Sequence, residues 1–268
     1  MLKDISLGQY LPGNTVIHRL DPRIKILLTM GYIAIVFCVS KPIWYIIPLL
    51  YVVLCSKMAC IHPKLLLKSI KPLRLLLLLT FVLNVFFSSG TNILFSVGFL
   101  KVTWEGVEIA VHFCMRLIFL VAGTSLLTLT TSPITLSDGI EHLLSPLKVV
   151  RFPAHELAMM MTIALRFIPT LIEEADKIMK AQMARGADFE SGNLITRAKA
   201  MIPLLVPLFV SAFRRAGDLA MAMEARCYHG DEGRTRLRIL KIEKIDIWAS
   251  LITIVTLILT IIVGKISI

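Results

Sequence analysis

GVEIAVHFCMRLIFLVAGTSLLTL, residues Gly106 to Leu129, is a run of 24 residues in which Arg116 is the one strongly basic interruption. At about 1.5 Å per residue a helix of that length spans about 36 Å, more than the roughly 30 Å of a bilayer's hydrocarbon core. A soluble domain could hide one such segment, but it could not hide several. The whole chain of 268 residues is 56% hydrophobic and only 18% charged, with a mean hydropathy of +0.79, beyond what a soluble domain of this size carries. The fold class that follows is an all-α integral membrane protein, because only helices satisfy every backbone polar group within one segment in lipid.

Working outward, further apolar runs extend from about Ile24 to Ser40 and from Ile43 to Cys60, with the turn Lys41-Pro42 between them. Another begins near Leu73 and reaches Phe87, where Ser88-Ser89-Gly90 and Asn92 loosen it; residues to about Leu100 complete that span or lie at the interface. A last run covers Ile247 to Val263. Together they predict about five transmembrane helices. The basic stretch from His62 to Arg74 places its side of the membrane in the cytoplasm, which predicts a cytoplasmic N-terminus and an external C-terminus. Lys101 is the only basic residue in the loop after the third run, in keeping with this orientation, with Lys41 and Lys265 as minor exceptions. A sixth span would need Met201 to Phe213 to cross, and thirteen residues are too few.

The first 23 residues are polar and turn-rich, unlike a cleavable signal peptide, so the mature chain is expected to begin at Met1. A net charge of +11 raises the question of nucleic acid, but the basic residues lie between and beside apolar runs, as the positive-inside rule requires; no nucleic-acid partner is implied. The five cysteines, Cys38, Cys55, Cys60, Cys114 and Cys227, have neither disulfide nor zinc spacing. No metal and no cofactor is indicated. Arg116, at a depth where a charge costs at least about 2.5 kcal/mol, must face protein or water. Two readings stand for it: an intersubunit or gating contact, and an internally paired or snorkelling structural arginine.

The character changes after Thr130. Sixteen of the 29 Lys and Arg residues fall between Lys148 and Lys244, yet apolar residues recur there at helical spacing, among them Leu157, Met160, Met161, Ala164, Leu165 and Ile168. The division predicted is residues 1–131 (tail and first four spans), 132–245 (a cytoplasmic-side module) and 246–268 (the last span). Within the module Thr135 or Ser137 caps a short helix to Leu144. A long helix then runs over about 154–185, kinked at Pro169 and stopped at Gly186, and a second over about 194–227, kinked by Pro203 and Pro207.

These two helices end in similar words, AQMARG (Ala181 to Gly186) and AMEARC (Ala222 to Cys227), at an offset of 41 residues that also relates Ala175 to Ala216. An arginine flanked by small residues lets another backbone approach while its guanidinium grips carboxylates or carbonyls. Arg185 and Arg226 would also complement their helix dipoles, an effect of about 0.3–1 kcal/mol each, and that alone accounts for an arginine at either place.

The helix-end words, with LRFIPTLIEEADKIMKAQMARG (Leu165 to Gly186), GQYLPGNTVIHRLDPRIK (Gly8 to Lys25) and LTTSPITLSDGIEHLLSPL (Leu129 to Leu147), closely resemble the transmembrane T component of energy-coupling factor transporters. The resemblance covers nearly the whole chain, and the opening is similar to T components shared among several substrate-binding partners. It implies that the two long helices are coupling helices, docked by Ala184, Arg185 and Gly186 and by Ala225, Arg226 and Cys227 on two ABC-type ATPase subunits. It implies a membrane-embedded substrate-binding S component as third partner, and a non-catalytic role in vitamin or micronutrient uptake. Cys227 departs from the usual glycine, which predicts that the second helix continues toward Gly230 instead of capping left-handed. Eight of twelve methionines lie in the module. Of these, Met159, Met160, Met161 and Met201 are the candidates for S-component contact, since methionine surfaces repack easily; filling a core between helices is the alternative.

Rival functions lack their residues. His155-Glu156 opens like a zinc-protease word but has Met159 where the second histidine belongs, and no phosphate loop or Gly-x-Ser-x-Gly word occurs. Glu173, Glu174 and Asp176 read as a solvated helix face. A self-sufficient secondary transporter would need buried ionisable residues along a path, and Arg116 is the one clear case.

Overall fold

The computed structural model describes residues 10–87, 93–97, 100–146, 153–189, 193–228, 230 and 240–266. The chain divides into two compact units, one built from residues 8–139 with 240–268 and the other from residues 140–239.

In the first unit α1 (Val16–Arg19) is a single turn before α2 (Pro22–Cys38), whose start is set by Asp21 accepting the Arg23 N–H and by proline in the first turn. A 3₁₀ turn at Pro42–Tyr45 leads into α3 (Ile46–Met58). Then α4 (Pro63–Ile70) passes through a 3₁₀ turn at Lys71–Leu73 into α5 (Arg74–Phe87). Here the basic stretch and the third apolar run form one helical rod of 25 residues, Pro63–Phe87. The chain next folds into a short antiparallel hairpin, β1 (Ile93–Val97) with β2 (Leu100–Thr103), pairing Val97 with Leu100. Residues to Leu100 therefore do not extend the third helix. Thr103 caps α6 (Trp104–Thr130) by accepting the Gly106 N–H, and α7 (Pro133–Leu144) follows. Its cap is Ser132, whose hydroxyl accepts the Thr135 N–H; the helix begins a turn earlier than Thr135 or Ser137 would start it, because Pro133 fits the first helical position.

The second unit holds α8 (Ala154–Ala184), α9 (Leu194–Ala200) and α10 (Ile202–Glu224). Pro169 lies inside α8 without ending it, whereas the helix expected over 194–227 is broken at Met201, just before Pro203. Finally α11 (Lys244–Ile266) returns to the first unit. The segment 231–239, which includes Gly233, lies outside the described residues, as does the loosened stretch 88–92.

Among the described residues, five helical stretches are long and apolar enough to cross a membrane: Pro63–Phe87, Trp104–Thr130, Ala154–Ala184, Arg197–Glu224 and Lys244–Gly264. The number agrees with the expectation and the membership differs. Three correspond to predicted spans, while α8 and the Arg197–Glu224 stretch belong to the second unit. The runs Ile24–Ser40 and Ile43–Cys60 form the shorter helical pieces Pro22–Cys38 and Pro42–Met58, at the lower end of the roughly 17–25 residues of a spanning helix. Length is also no bar to Arg197–Glu224: with Pro203 in the first turn of α10, where N–H groups are unbonded anyway, the helix runs on well past Phe213.

The first unit's core gathers Tyr32, Val36, Val39, Tyr45, Val52, Ala122, Leu126 and Leu129 from α2, α3 and α6 and the turns between them. Tyr32 is 2% exposed and donates from its hydroxyl to the Phe119 carbonyl. Its ring lies against Gly123, where an added Cβ would overlap it, the close approach that small residues permit between membrane helices. One end of the unit is locked by polar groups. The buried Lys25 ammonium donates to the carbonyls of His18 and Thr130 and to the Thr131 hydroxyl, which uses all three of its hydrogens. The Asp246 carboxylate, 1% exposed by residue, accepts the Asp21 and Glu243 backbone N–H groups and so ties the start of α11 to the start of α2.

Candidate functional site

The two helix ends singled out by their words are alike bond for bond. At the first, the Arg185 N–H donates to Gln182 O, the Gly186 N–H to Met183 O and the Ala187 N–H to Gln182 O, each at 3.0 Å. At the second, Arg226 donates to Met223 O at 3.1 Å, Cys227 to Glu224 O at 2.9 Å and Tyr228 to Met223 O at 3.1 Å. Every donor and acceptor of the second set is 41 positions after its counterpart. Both are Schellman ends, in which the residue after the cap turns left-handed to satisfy the last carbonyls.

Gly186 has φ 90° and Cys227 has φ 56°. The expectation that Cys227 would carry the second helix on to Gly230 is therefore wrong. A cysteine accepts the left-handed conformation here because the same pair of hydrogen bonds closes the turn, against a steric cost of roughly 1–2 kcal/mol. Ala184, Arg185, Gly186, Ala225, Arg226 and Cys227 are all exposed, so each end offers a small-residue step beside a free guanidinium.

The same offset recurs where the two helices meet. Arg215 donates from Nη2 to Glu174 Oε2 at 2.8 Å, and 41 residues separate them. Beside this pair Ile163, Phe167 and Leu171 of α8 line a cavity of about 230 Å³ with Ala212, Ala216, Leu219 and Met223 of α10. The C-terminal half of α10 thus lies along the middle of α8. From the contact to each arginine is the same distance along the chain, 11 residues (185 − 174 and 226 − 215), or about 16 Å of helix. The helices run in opposite senses there, so the arginine ends point away from the contact in opposite directions.

Among the methionines, Met160, Met161 and Met201 are 55%, 44% and 46% exposed, and Met159 is half-buried. Met201 begins an uncovered apolar face of α10 that continues through Leu205, Phe209 and Phe213. Arg116 lies on α6 of the first unit. Its guanidinium lies over the rings of Phe37 and Phe113, at 5.3 and 5.5 Å from their centroids, while its Nε is buried without a hydrogen-bond partner. Among the described residues no carboxylate forms a salt bridge with it. His155 is in the first turn of α8, as expected, with Nδ1 at 2.8 Å from Glu141 Oε1.

Sequence reasoning missed Lys25 and Asp246 as buried ionisable residues, because both flank apolar runs and resemble ordinary membrane-edge charges. The signal present was the acid in each first-turn region, Asp21 before Pro22 and Asp246 before Ile247, since a carboxylate beside free backbone N–H groups is held there.

Residues 13–237 match the CbiQ family of cobalt transport proteins. The chain is 54% identical over 252 residues to the energy-coupling factor transporter transmembrane protein of Thermosediminibacter oceani, covering 94% of this chain and 95% of that one. To the protein of that name from Clostridium kluyveri it is 55% identical over 256 residues, 95% of each chain, and to that of Bacillus subtilis 48% identical over 238 residues, 89% of this chain and 90% of the relative. Matching over nearly its whole length, the chain belongs to the CbiQ family and, within it, to the energy-coupling factor transporter transmembrane proteins, multi-pass cell-membrane components of a multi-subunit transporter.

Proposed function

We propose that the chain is the non-catalytic coupling subunit of an ATP-driven importer. Two ABC-type ATPase subunits dock on its two Schellman ends, Ala184-Arg185-Gly186 and Ala225-Arg226-Cys227, and a membrane-embedded S component binds the vitamin or micronutrient. The observation that carries this reading is the equivalence of the ends: two exposed arginines with the same backbone frame, equally far from the Glu174–Arg215 contact, suit a partner that comes as two. ATP-driven closure of the ATPases moves the ends, and α8 and α10 carry that motion to the S component. Met160, Met161, Met201 and the apolar face of α10 receive the S component, where flexible thioethers accommodate more than one partner surface. The N-terminus and the unit of residues 140–239 face the cytoplasm, where ATP is.

The test is purification of the chain in mild detergent with co-expressed ATPases and S component. Arg185→Ala and Arg226→Ala are each expected to weaken ATPase capture by about 2–4 kcal/mol, the scale of a buried arginine hot spot, and to stop uptake. Normal capture and uptake by both variants would overturn the docking assignment. Leucine at Met160, Met161 and Met201 is expected to impair uptake of some substrates more than others; unchanged uptake of every substrate would remove the exchange role.

A further inference from the structure

The first unit contains a cavity of about 270 Å³ at the end where α2 and α11 begin and α3 and α6 finish. Tyr32 and Gly123 lie at its floor; Leu54 and Met58 of α3 line one side, Trp248 and Ile252 of α11 the other. Tyr51 of α3 and Thr253 of α11 share a hydrogen bond at 3.0 Å that closes its inner end. Leu54, Met58, Ile252 and Trp248, the last 65% exposed, lie open on both sides of the gap. The space is therefore a cleft between α3 and α11 that faces the surroundings of a membrane protein. An apolar void of about 150 Å³ already stays dry and takes up a hydrocarbon, and this one is larger and has few polar groups, since Lys25 spends all its hydrogens elsewhere.

The rim has a charge. Arg19, Lys57 and Lys244, all exposed, are each the sequence neighbour of a lining residue, respectively Leu20, Met58 and Ile245. None of the three forms a salt bridge among the described residues. The acids beside them are Asp21, Glu243 and Asp246, outnumbered by Arg19, Arg23, Lys25, Lys57 and Lys244, so the rim stays positive. We infer that the cleft between α3 and α11 binds one anionic phospholipid, an acyl chain entering between Leu54 and Trp248 and the phosphate held by Arg19, Lys57 and Lys244. The hydrocarbon of the bilayer supplies the chain, and the basic rim selects the headgroup.

The test uses the full chain in vesicles, with Trp44→Phe and Trp104→Phe leaving Trp248 as the only indole, and phosphatidylglycerol or phosphatidylcholine brominated on the acyl chain as quencher. Trp248 is expected to favour the anionic quencher about five-fold for each rim cation engaged, the fold-change equivalent to about 1 kcal/mol. Arg19→Gln, Lys57→Gln and Lys244→Gln together should bring the preference close to unity, and so should Ala249→Phe, which fills the cleft without altering charge. Equal quenching of the unmodified Trp248 by both lipids would overturn the inference. A preference that survives Ala249→Phe would overturn it too, by placing the lipid on the open surface. As a measurement independent of any variant, mass spectrometry of the delipidated wild-type chain should find one retained phosphatidylglycerol per chain; retention of neither lipid, or of both equally, counts against the site.

Discussion

Arg215 holds Glu174 at 2.8 Å across the same 41-residue interval that separates Arg226 from Arg185. The pair sits where two helices of like design meet and fixes two arms of equal length. With the side chains 37% and 22% exposed, water screens it and it is worth little as a source of stability. Its value is in position. Glu174→Gln is therefore expected to leave thermal unfolding nearly unchanged while broadening the distance between spin labels at positions 185 and 226. Exchange of the charges, Glu174→Arg with Arg215→Glu, should narrow that distribution again; an unchanged distribution in all variants would show that apolar packing alone sets the crossing.

Cys227 makes the second helix end more strained than the first. Cys227→Gly should stabilise the unit of residues 140–239 by up to about 1 kcal/mol, by removing the Cβ from a left-handed residue. Cys227→Val should destabilise it by more than that, since a branched side chain tolerates positive φ least. Hydrogen exchange at the Tyr228 N–H, which closes the turn onto Met223 O, measures both effects directly. Slower exchange in the valine variant would contradict the account.

Asp246 is the joint between the first and last long helices of the other unit. Replacing it by asparagine puts an NH₂ where one of two N–H donors now points, and alanine leaves both donors unmatched. Losses of about 1–3 kcal/mol are expected, larger for alanine. Thermal unfolding in detergent reads them, and equal stability of wild type and Asp246→Ala would show that water replaces the carboxylate.

Gly123→Ala should be destabilising by about 1–3 kcal/mol, because the added methyl overlaps the Tyr32 ring in a packed core. Tyr32→Leu in the same chain should recover part of the loss by vacating the space, at the expense of the hydrogen bond to Phe119 O. Additive losses in the double variant would disprove the contact.

Much of the fold and of the candidate site was legible in the chain because it depends on local patterns. Apolar length put the protein in the membrane, and the Ala-Arg words located both helix ends. Local patterns failed where a neighbour decides. Cys227 argued for a continuing helix, yet the turn is left-handed, since hydrogen bonds to Met223 and Glu224 outweigh one residue's preference. Apolar length likewise could not say that the helix expected over 194–227 breaks at Met201, or that residues after Phe87 pair as a hairpin.

By itself the sequence determined that this is a multi-pass helical membrane protein with two arginine-tipped long helices, because hydropathy, periodicity and capping words are properties of neighbouring residues. Only the tertiary structure decided that those helices meet at Glu174 and Arg215, that Asp246 joins residues 225 positions apart, and that α3 and α11 leave a cleft. Each of these depends on which surfaces touch, and distances along the chain do not specify distances through space.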